Sequence, residues 1–237
     1  MTPRLVVFDD AAALAHGAAA FLLERALAAP AEFALALSGG STPRATYELH
    51  GQEPYLSRFP WARMQFFWGD ERCVPPDDPA SNYGMALHAF LSAVPVPPDH
   101  VHPMLTERMS PREAADAYAA TLRTHYGGAT LDPARPLFDV ALLGIGEDGH
   151  TASLIPGEKV LDEYKRWVAE VPHGRDEARI TLTYPALDAS RVAAFLVSGR
   201  QKRAILRHIL DGATDVPAAR LRPSGEIVIL ADRDAAG

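Results

Sequence analysis

His150 stands near the end of a glycine-rich run, Leu143-Gly144-Ile145-Gly146-Glu147-Asp148-Gly149-His150-Thr151-Ala152-Ser153-Leu154. An imidazole changes charge near neutral pH, so it can take a proton from water and hand it on to a leaving group. Asp148, two positions earlier, is placed to fix the imidazole tautomer or to share in the proton handling. Gly144, Gly146 and Gly149 let the backbone wrap closely around a small molecule, and they free N–H groups to stabilise an oxyanion. The chemistry such a run would serve is attack of activated water on a carbonyl.

Three further segments carry polar groups of the right kind. Ser38-Gly39-Gly40-Ser41-Thr42-Pro43 lies between an apolar run and a helical pattern. Successive N–H groups at a helix start, with hydroxyls beside them, form an anion site, and a phosphate is the expected occupant. Asp70-Glu71-Arg72 offers a guanidinium to clamp an anion or polarise a carbonyl, with Asp70 or Glu71 to orient it. Ser81, Asn82 and Tyr83 follow and are placed to fold back over it. In Ser198-Gly199-Arg200-Gln201-Lys202-Arg203, three cations crowd a helix start, which the helix dipole disfavours unless an anion is bound. Arg200 and Lys202 are therefore candidate phosphate ligands, Arg203 fits a solvated face, and Arg179 is a weaker candidate for the same anion.

Other chemistries are excluded or unsupported. Cys73 is the single cysteine, so there is no intrachain disulfide and no cysteine-rich zinc site. The nine histidines are scattered without a His-Glu-x-x-His pattern, so no metal is expected. A Gly-x-Ser-x-Gly elbow is absent, which leaves a serine-hydrolase triad unsupported. A net charge of −7 argues against a nucleic-acid partner. Met1 to Asp10 does not read as a signal peptide, and His16, Gly17, Glu24 and Arg25 break the first alanine-rich stretch. No membrane association and a cytoplasmic location are the expectations.

Positioning four such loops requires a frame. With 237 residues, 48% of them hydrophobic, one domain spanning 1–237 is expected. Strand patterns fall at Leu5–Phe8, Phe33–Leu37, Met64–Trp68, Phe138–Leu143, Trp167–Val171, Arg179–Thr183, Val192–Val197 and Ile227–Leu230. Helical patterns fall at 10–29 with Asp10 as cap, and at 43–50, 82–91, 111–125 with Ser110 as cap, and 200–210. This alternation reads as an α/β fold with a mostly parallel central sheet and helices on both faces. Ligands then bind where loops leave the carboxyl ends of the strands, and the four segments lie in such loops.

Taken as a set and in this order, the four segments resemble 6-phosphogluconolactonase, over nearly the whole chain. The resemblance implies a Rossmann-like fold, shared with glucosamine-6-phosphate deaminase and ribose-5-phosphate isomerase. It implies hydrolysis of 6-phospho-D-glucono-1,5-lactone to 6-phospho-D-gluconate, the second step of the oxidative pentose phosphate pathway, with no metal or cofactor. The substrate phosphate would sit on Ser38–Thr42 with Lys202 and with Arg200 or Arg179. Arg72 or glycine-loop N–H groups would face the oxyanion. In the deaminase the His is followed by Ile-Ala-Phe-Asn-Glu, and a Tyr tends to replace Arg72. Here Ile155 stands where that Glu would be. A non-catalytic sugar-phosphate sensor usually adds a DNA-binding domain, and no basic segment is spare for one. The only partner expected is the small-molecule substrate, with the protein a monomer or small homo-oligomer.

Overall fold

The computed structural model describes residues 2–237. Its nine strands are β1 (Arg4–Phe8), β2 (Phe33–Leu37), β3 (Met64–Trp68), β4 (Asp70–Arg72), β5 (Phe138–Gly144), β6 (Val168–Val171), β7 (Arg179–Leu182), β8 (Ser190–Val197) and β9 (Glu226–Asp232). The α-helices are α1 (Ala11–Ala28), α2 (Ser41–His50), α3 (Tyr55–Arg58), α4 (Asn82–Ala86), α5 (Pro111–Tyr126), α6 (Tyr184–Asp188), α7 (Arg203–Leu210) and α8 (Arg233–Ala236). Six strands form one sheet in the order β1-β9-β8-β5-β2-β3, parallel throughout. Every residue of β2 and β3 is buried, so both faces of the sheet are covered there. This is why β2 reads as an unbroken apolar run, and β3 as one broken only by Gln65, rather than as alternating strands.

The helices begin and end where side chains satisfy their free backbone groups. Asp10 accepts from the N–H of Ala13 at 2.8 Å and starts α1. Ser110 and Glu113 form a reciprocal capping box on α5, which Gly127 ends in the left-handed region at φ 67°. Helix α1, at 18 residues and mean hydropathy 1.3, is long and apolar enough to cross a membrane, despite the polar residues within it. In the fold Leu14, Ala18, Leu22 and Ala26 put one stripe of it into the core.

One feature of strand order positions the site. After β2 the chain moves to β3, on one side, and after β5 it moves to β8, on the other. β2 and β5 are neighbours, so the loops leaving their carboxyl ends diverge and open a crevice between them.

Two expectations need correction. Asp70–Arg72 is a strand rather than part of a loop, and β4, β7 and β6 make a separate antiparallel sheet. Only the short loop 172–178 joins β6 to β7, too little chain for a parallel crossover. The helix expected from Arg200 opens instead as a tight 3₁₀ turn over Arg200–Lys202, before α7.

Candidate active site

A cleft of about 250 Å³ lies at the divergence of β2 and β5, and parts of all four segments line it. The loop after β2 is pinned by Tyr47, whose hydroxyl accepts from the Ser38 N–H at 2.9 Å and donates to the Ser38 carbonyl at 3.0 Å. Gly40, at φ 104°, turns the chain into α2. No side chain caps that helix, so the first N–H groups of α2 have no side-chain acceptor and are presented beside Ser41 and Thr42 on the cleft wall. A Cβ on Gly39 would lie 1.9 Å from Asn82 Oδ1, so any other residue there must displace the Asn82 side chain.

The loop after β5 folds on itself. Gly146 N–H donates to the His150 carbonyl at 2.8 Å, and Gly149 N–H to the Gly146 carbonyl at 2.9 Å. Those two amides are spent inside the loop, so neither is free to face an oxyanion. His150 Nδ1 lies 2.5 Å from Asp148 Oδ1, and a Cβ on Gly146 would come within 2.0 Å of that nitrogen. A ring that donates from Nδ1 to a carboxylate keeps a lone pair on Nε2 for the cleft. Partial burial works to raise the Asp148 carboxyl, but hydrogen bonds from His150 and the nearby Arg175 guanidinium outweigh it and hold it below the usual range.

Asp148 is therefore the carboxylate on His150, and Asp70 and Glu71 do other work. Glu71 is off the cleft wall, with its carboxylate accepting from the N–H groups of Arg72, Asn82 and Tyr83 at 2.7 to 2.8 Å and from the Ser81 hydroxyl at 3.1 Å. It clasps the 81–83 segment back over the site. Burial pushes its carboxyl up while those N–H bonds oppose the shift. Asp70 accepts from the Ser153 hydroxyl at 2.6 Å and from Asn82 Nδ2 at 3.3 Å. Burial and the nearby Glu71 push the Cys73 thiol up, which suits packing rather than reactivity.

Arg72 and Arg179 sit directly opposite each other on β4 and β7, and both line the cleft. Like charges in that register are unfavourable. Burial lowers the Arg179 guanidinium, Asp70 opposes that shift and Arg72 adds to it. Arg72 is held by the Ala80 carbonyl at 2.5 Å and Asn82 Oδ1 at 2.8 Å. The Nε of each arginine is buried without a protein partner. Two desolvated cations with spare donors make a site suited to an anion.

The loop after β8 completes the wall. Ser198 Oγ donates to Asp232 Oδ2 at 2.5 Å, and Asp232 also accepts from Gly199 N–H at 3.1 Å. Lys202 lines the cleft, whereas Arg200 is exposed and off the wall, which corrects the expectation that it faces the anion. The cause is the tight turn at Gly199, φ 95°, which aims residues 200 and 202 in different directions. Of the other expected residues, Ser38, Gly39, Gly40, Ser41, Thr42, Asp70, Gly144, Gly146 and His150 reach the cleft, while Asp148, hydrogen-bonded to His150, and Gly149 are off its wall. Sequence reasoning missed Arg175, and it did not foresee that Asn82 would bridge Arg72 and Asp70. Neither carries a motif, and only the clustered polar triplet Ser81-Asn82-Tyr83 hinted at Asn82.

A parallel α/β sheet whose switch-point cleft joins cations, a free helix start and a His–Asp pair defines a class: enzymes that take an anionic small molecule at the strand ends. Comparison with known proteins makes this specific. The family model described as Glucosamine-6-phosphate isomerases/6-phosphogluconolactonase matches residues 9–229. A 6-phosphogluconolactonase of Nostoc sp. is 37% identical over 213 residues, covering 89% of this chain and 86% of that protein. One from Streptomyces coelicolor is 34% identical over 246 residues, covering 99% and 94%. The solved structure of 6-phosphogluconolactonase from Trypanosoma cruzi superposes with a TM-score of 0.85 at 30% identity, covering 100% of this chain and 97% of that one. The chain belongs to the glucosamine-6-phosphate isomerase/6-phosphogluconolactonase family.

Proposed function

We propose that this protein hydrolyses 6-phospho-D-glucono-1,5-lactone to 6-phospho-D-gluconate in the oxidative pentose phosphate pathway. The observation that carries the reading is His150, backed by its hydrogen bond to Asp148, on the wall of the same cleft as Arg72, Arg179 and Lys202. The phosphate docks on the N–H groups of α2 with Ser41, Thr42, Lys202 and Arg179. Binding energy spent there fixes the ring so that the lactone carbonyl meets the imidazole. His150 Nε2 takes a proton from water, and the resulting hydroxide adds to the carbonyl carbon. Arg72 faces the oxyanion that forms. Collapse breaks the bond to the ring oxygen, which leaves with the proton from His150. The product acid then ionises. No covalent enzyme intermediate and no cofactor enter these steps.

The sequence after His150 supports the lactonase over the deaminase. Ile155 is buried and apolar, so it has no proton to exchange where the deaminase carries a Glu. The catalytic unit is the whole span 1–237, a reading supported by one continuous core from Leu14 to Ala235. A monomer or a small homo-oligomer is part of the same reading. A cytoplasmic location without nucleic-acid or membrane partners is part of the same reading, supported by the free thiol and the charge of −7.

The test is hydrolysis of freshly made lactone at neutral pH with a chelator present, followed through coupled 6-phosphogluconate dehydrogenase. Acceleration above the spontaneous rate that survives the chelator is expected. No acceleration by well-folded protein would overturn the assignment.

A further inference from the structure

The His150–Asp148 pair has a third member. Arg175 lies on loop 172–178, between β6 and β7, and its side chain is half exposed. One guanidinium nitrogen donates to Asp148 Oδ2 at 2.8 Å and stands 3.2 Å from His150 Nδ1. The other carboxylate oxygen of Asp148 takes both the ring nitrogen and the backbone N–H of His150, at 2.5 and 3.2 Å. The carboxylate is thus divided, with one oxygen on the imidazole and one on the guanidinium. A carboxylate held at one oxygen can swing about its terminal torsion, which is broad and soft. Held at both, it has one orientation, and so has the ring. The Arg175 side chain makes no other hydrogen bond among the described residues. An exposed ion pair of this kind adds little to stability. Its effect falls on the two side chains it orders.

The loop is braced at its other end. A Cβ on Gly174 would lie 3.0 Å from Arg179 Cδ, and Glu177 Oε2 lies 3.9 Å from an Arg179 guanidinium nitrogen. It rests on the arginine of the anion site, while Arg175 reaches across to the dyad.

We propose that Arg175 is a positioning residue for the hydrolysis, acting through Asp148 to present His150 Nε2 to the lactone carbonyl at a fixed angle. The proposal rests on His150 being the general base. Its charge has a second consequence. The groups facing the imidazole are Asp148 and Arg175 at close range, with Asp70, Arg72, Arg179 and Lys202 across the cleft. Among the described residues Arg175 is the only cation within hydrogen-bond range of the ring, so its removal takes a positive charge from beside the dyad and favours the protonated form.

The experiment is a cycle of Arg175→Ala, Asp148→Asn and the double variant, with Arg175→Lys and His150→Asn alongside. Steady-state lactone hydrolysis is measured across pH. Arg175→Ala should lower kcat roughly tenfold, with KM nearly unchanged, an effect below the 10²- to 10⁴-fold of a general base itself. Its acid limb in kcat/KM, which belongs to the pair, should lie at higher pH than that of the parent. Arg175→Lys should retain more activity than Arg175→Ala. On the Asp148→Asn background, loss of Arg175 should cost nothing more. An unchanged kcat and acid limb would overturn the proposal, and so would an equal loss on both backgrounds. If His150→Asn kept parental turnover, the general-base reading itself would fall. An inactive His150→Asn with an unaffected Arg175→Ala would remove only the role of Arg175.

Discussion

At the scale of single residues, the site separates groups that act from groups that hold. Lys202 reaches the cleft and Arg200, two positions away, does not. Lys202→Ala should therefore raise KM and lower kcat/KM by roughly tenfold or more, as loss of a charge-assisted contact to phosphate would. Arg200→Ala should leave both constants within about twofold, since surface changes away from a site do little. Steady-state kinetics on the two variants checks this, and equal losses would move the phosphate. His150 was legible in the sequence because histidine chemistry and a glycine-rich loop coincide there. Asp148 was legible as a candidate support for it, but that Asp70 and Glu71 are engaged elsewhere was not. Adjacent carboxylates look alike as letters, and only the fold of the loop shows that Glu71 is consumed by three backbone N–H groups. Arg175 left no trace in sequence, because its partner is 27 residues away and its own surroundings read as a solvated charged loop.

At the scale of elements, the β4–β7 pairing accounts for how the anion site is built. Two cations are forced into register, and part of each is desolvated without a protein partner. Inorganic phosphate should raise the thermal unfolding midpoint by ordinary binding linkage. Arg179→Met should remove most of that rise while leaving the phosphate-free midpoint unchanged or higher, because the like-charge repulsion goes with it. Thermal scans with and without phosphate decide it, and a full phosphate response in the variant would contradict the assignment. Gly39→Ala should also impair kcat/KM, because the added Cβ displaces Asn82 and with it a hydrogen-bonded support of Arg72. The parallel strands were readable, since Phe33–Leu37 is apolar throughout and Met64–Trp68 is so but for Gln65, and their observed limits match the pattern. β4 was not readable. Three charged residues carry no strand signal, and their conformation is imposed by β7, more than a hundred residues later.

At the scale of the whole molecule, one core supports the crevice, and it contains a histidine that resists protonation. His50 is buried among Tyr47, Phe59 and Phe90 with Nε2 unpartnered, and burial pushes its imidazole from 6.5 down to about 3. In the unfolded chain the same group takes a proton near its ordinary value, so the unfolded state binds more protons between about pH 6.5 and 3. Its contribution to stability is complete above that window and is lost progressively as pH falls through it. Burial likewise lowers His102 and His125, which adds to the same trend. His50→Leu should flatten the acid-side decline in urea-derived stability, and a decline parallel to that of the parent would show that His50 is not its source. The switch point that places the cleft was foreseen only as a general rule for parallel sheets, because strand order is not written in any local pattern. The central claim is that this frame delivers His150 as the base for lactone hydrolysis. It is tested most directly by comparing kcat of the parent and of folded His150→Ala on freshly prepared 6-phosphogluconolactone, corrected for spontaneous hydrolysis. The account predicts a fall of roughly 10²- to 10⁴-fold with KM little changed. Turnover close to that of the parent would contradict it.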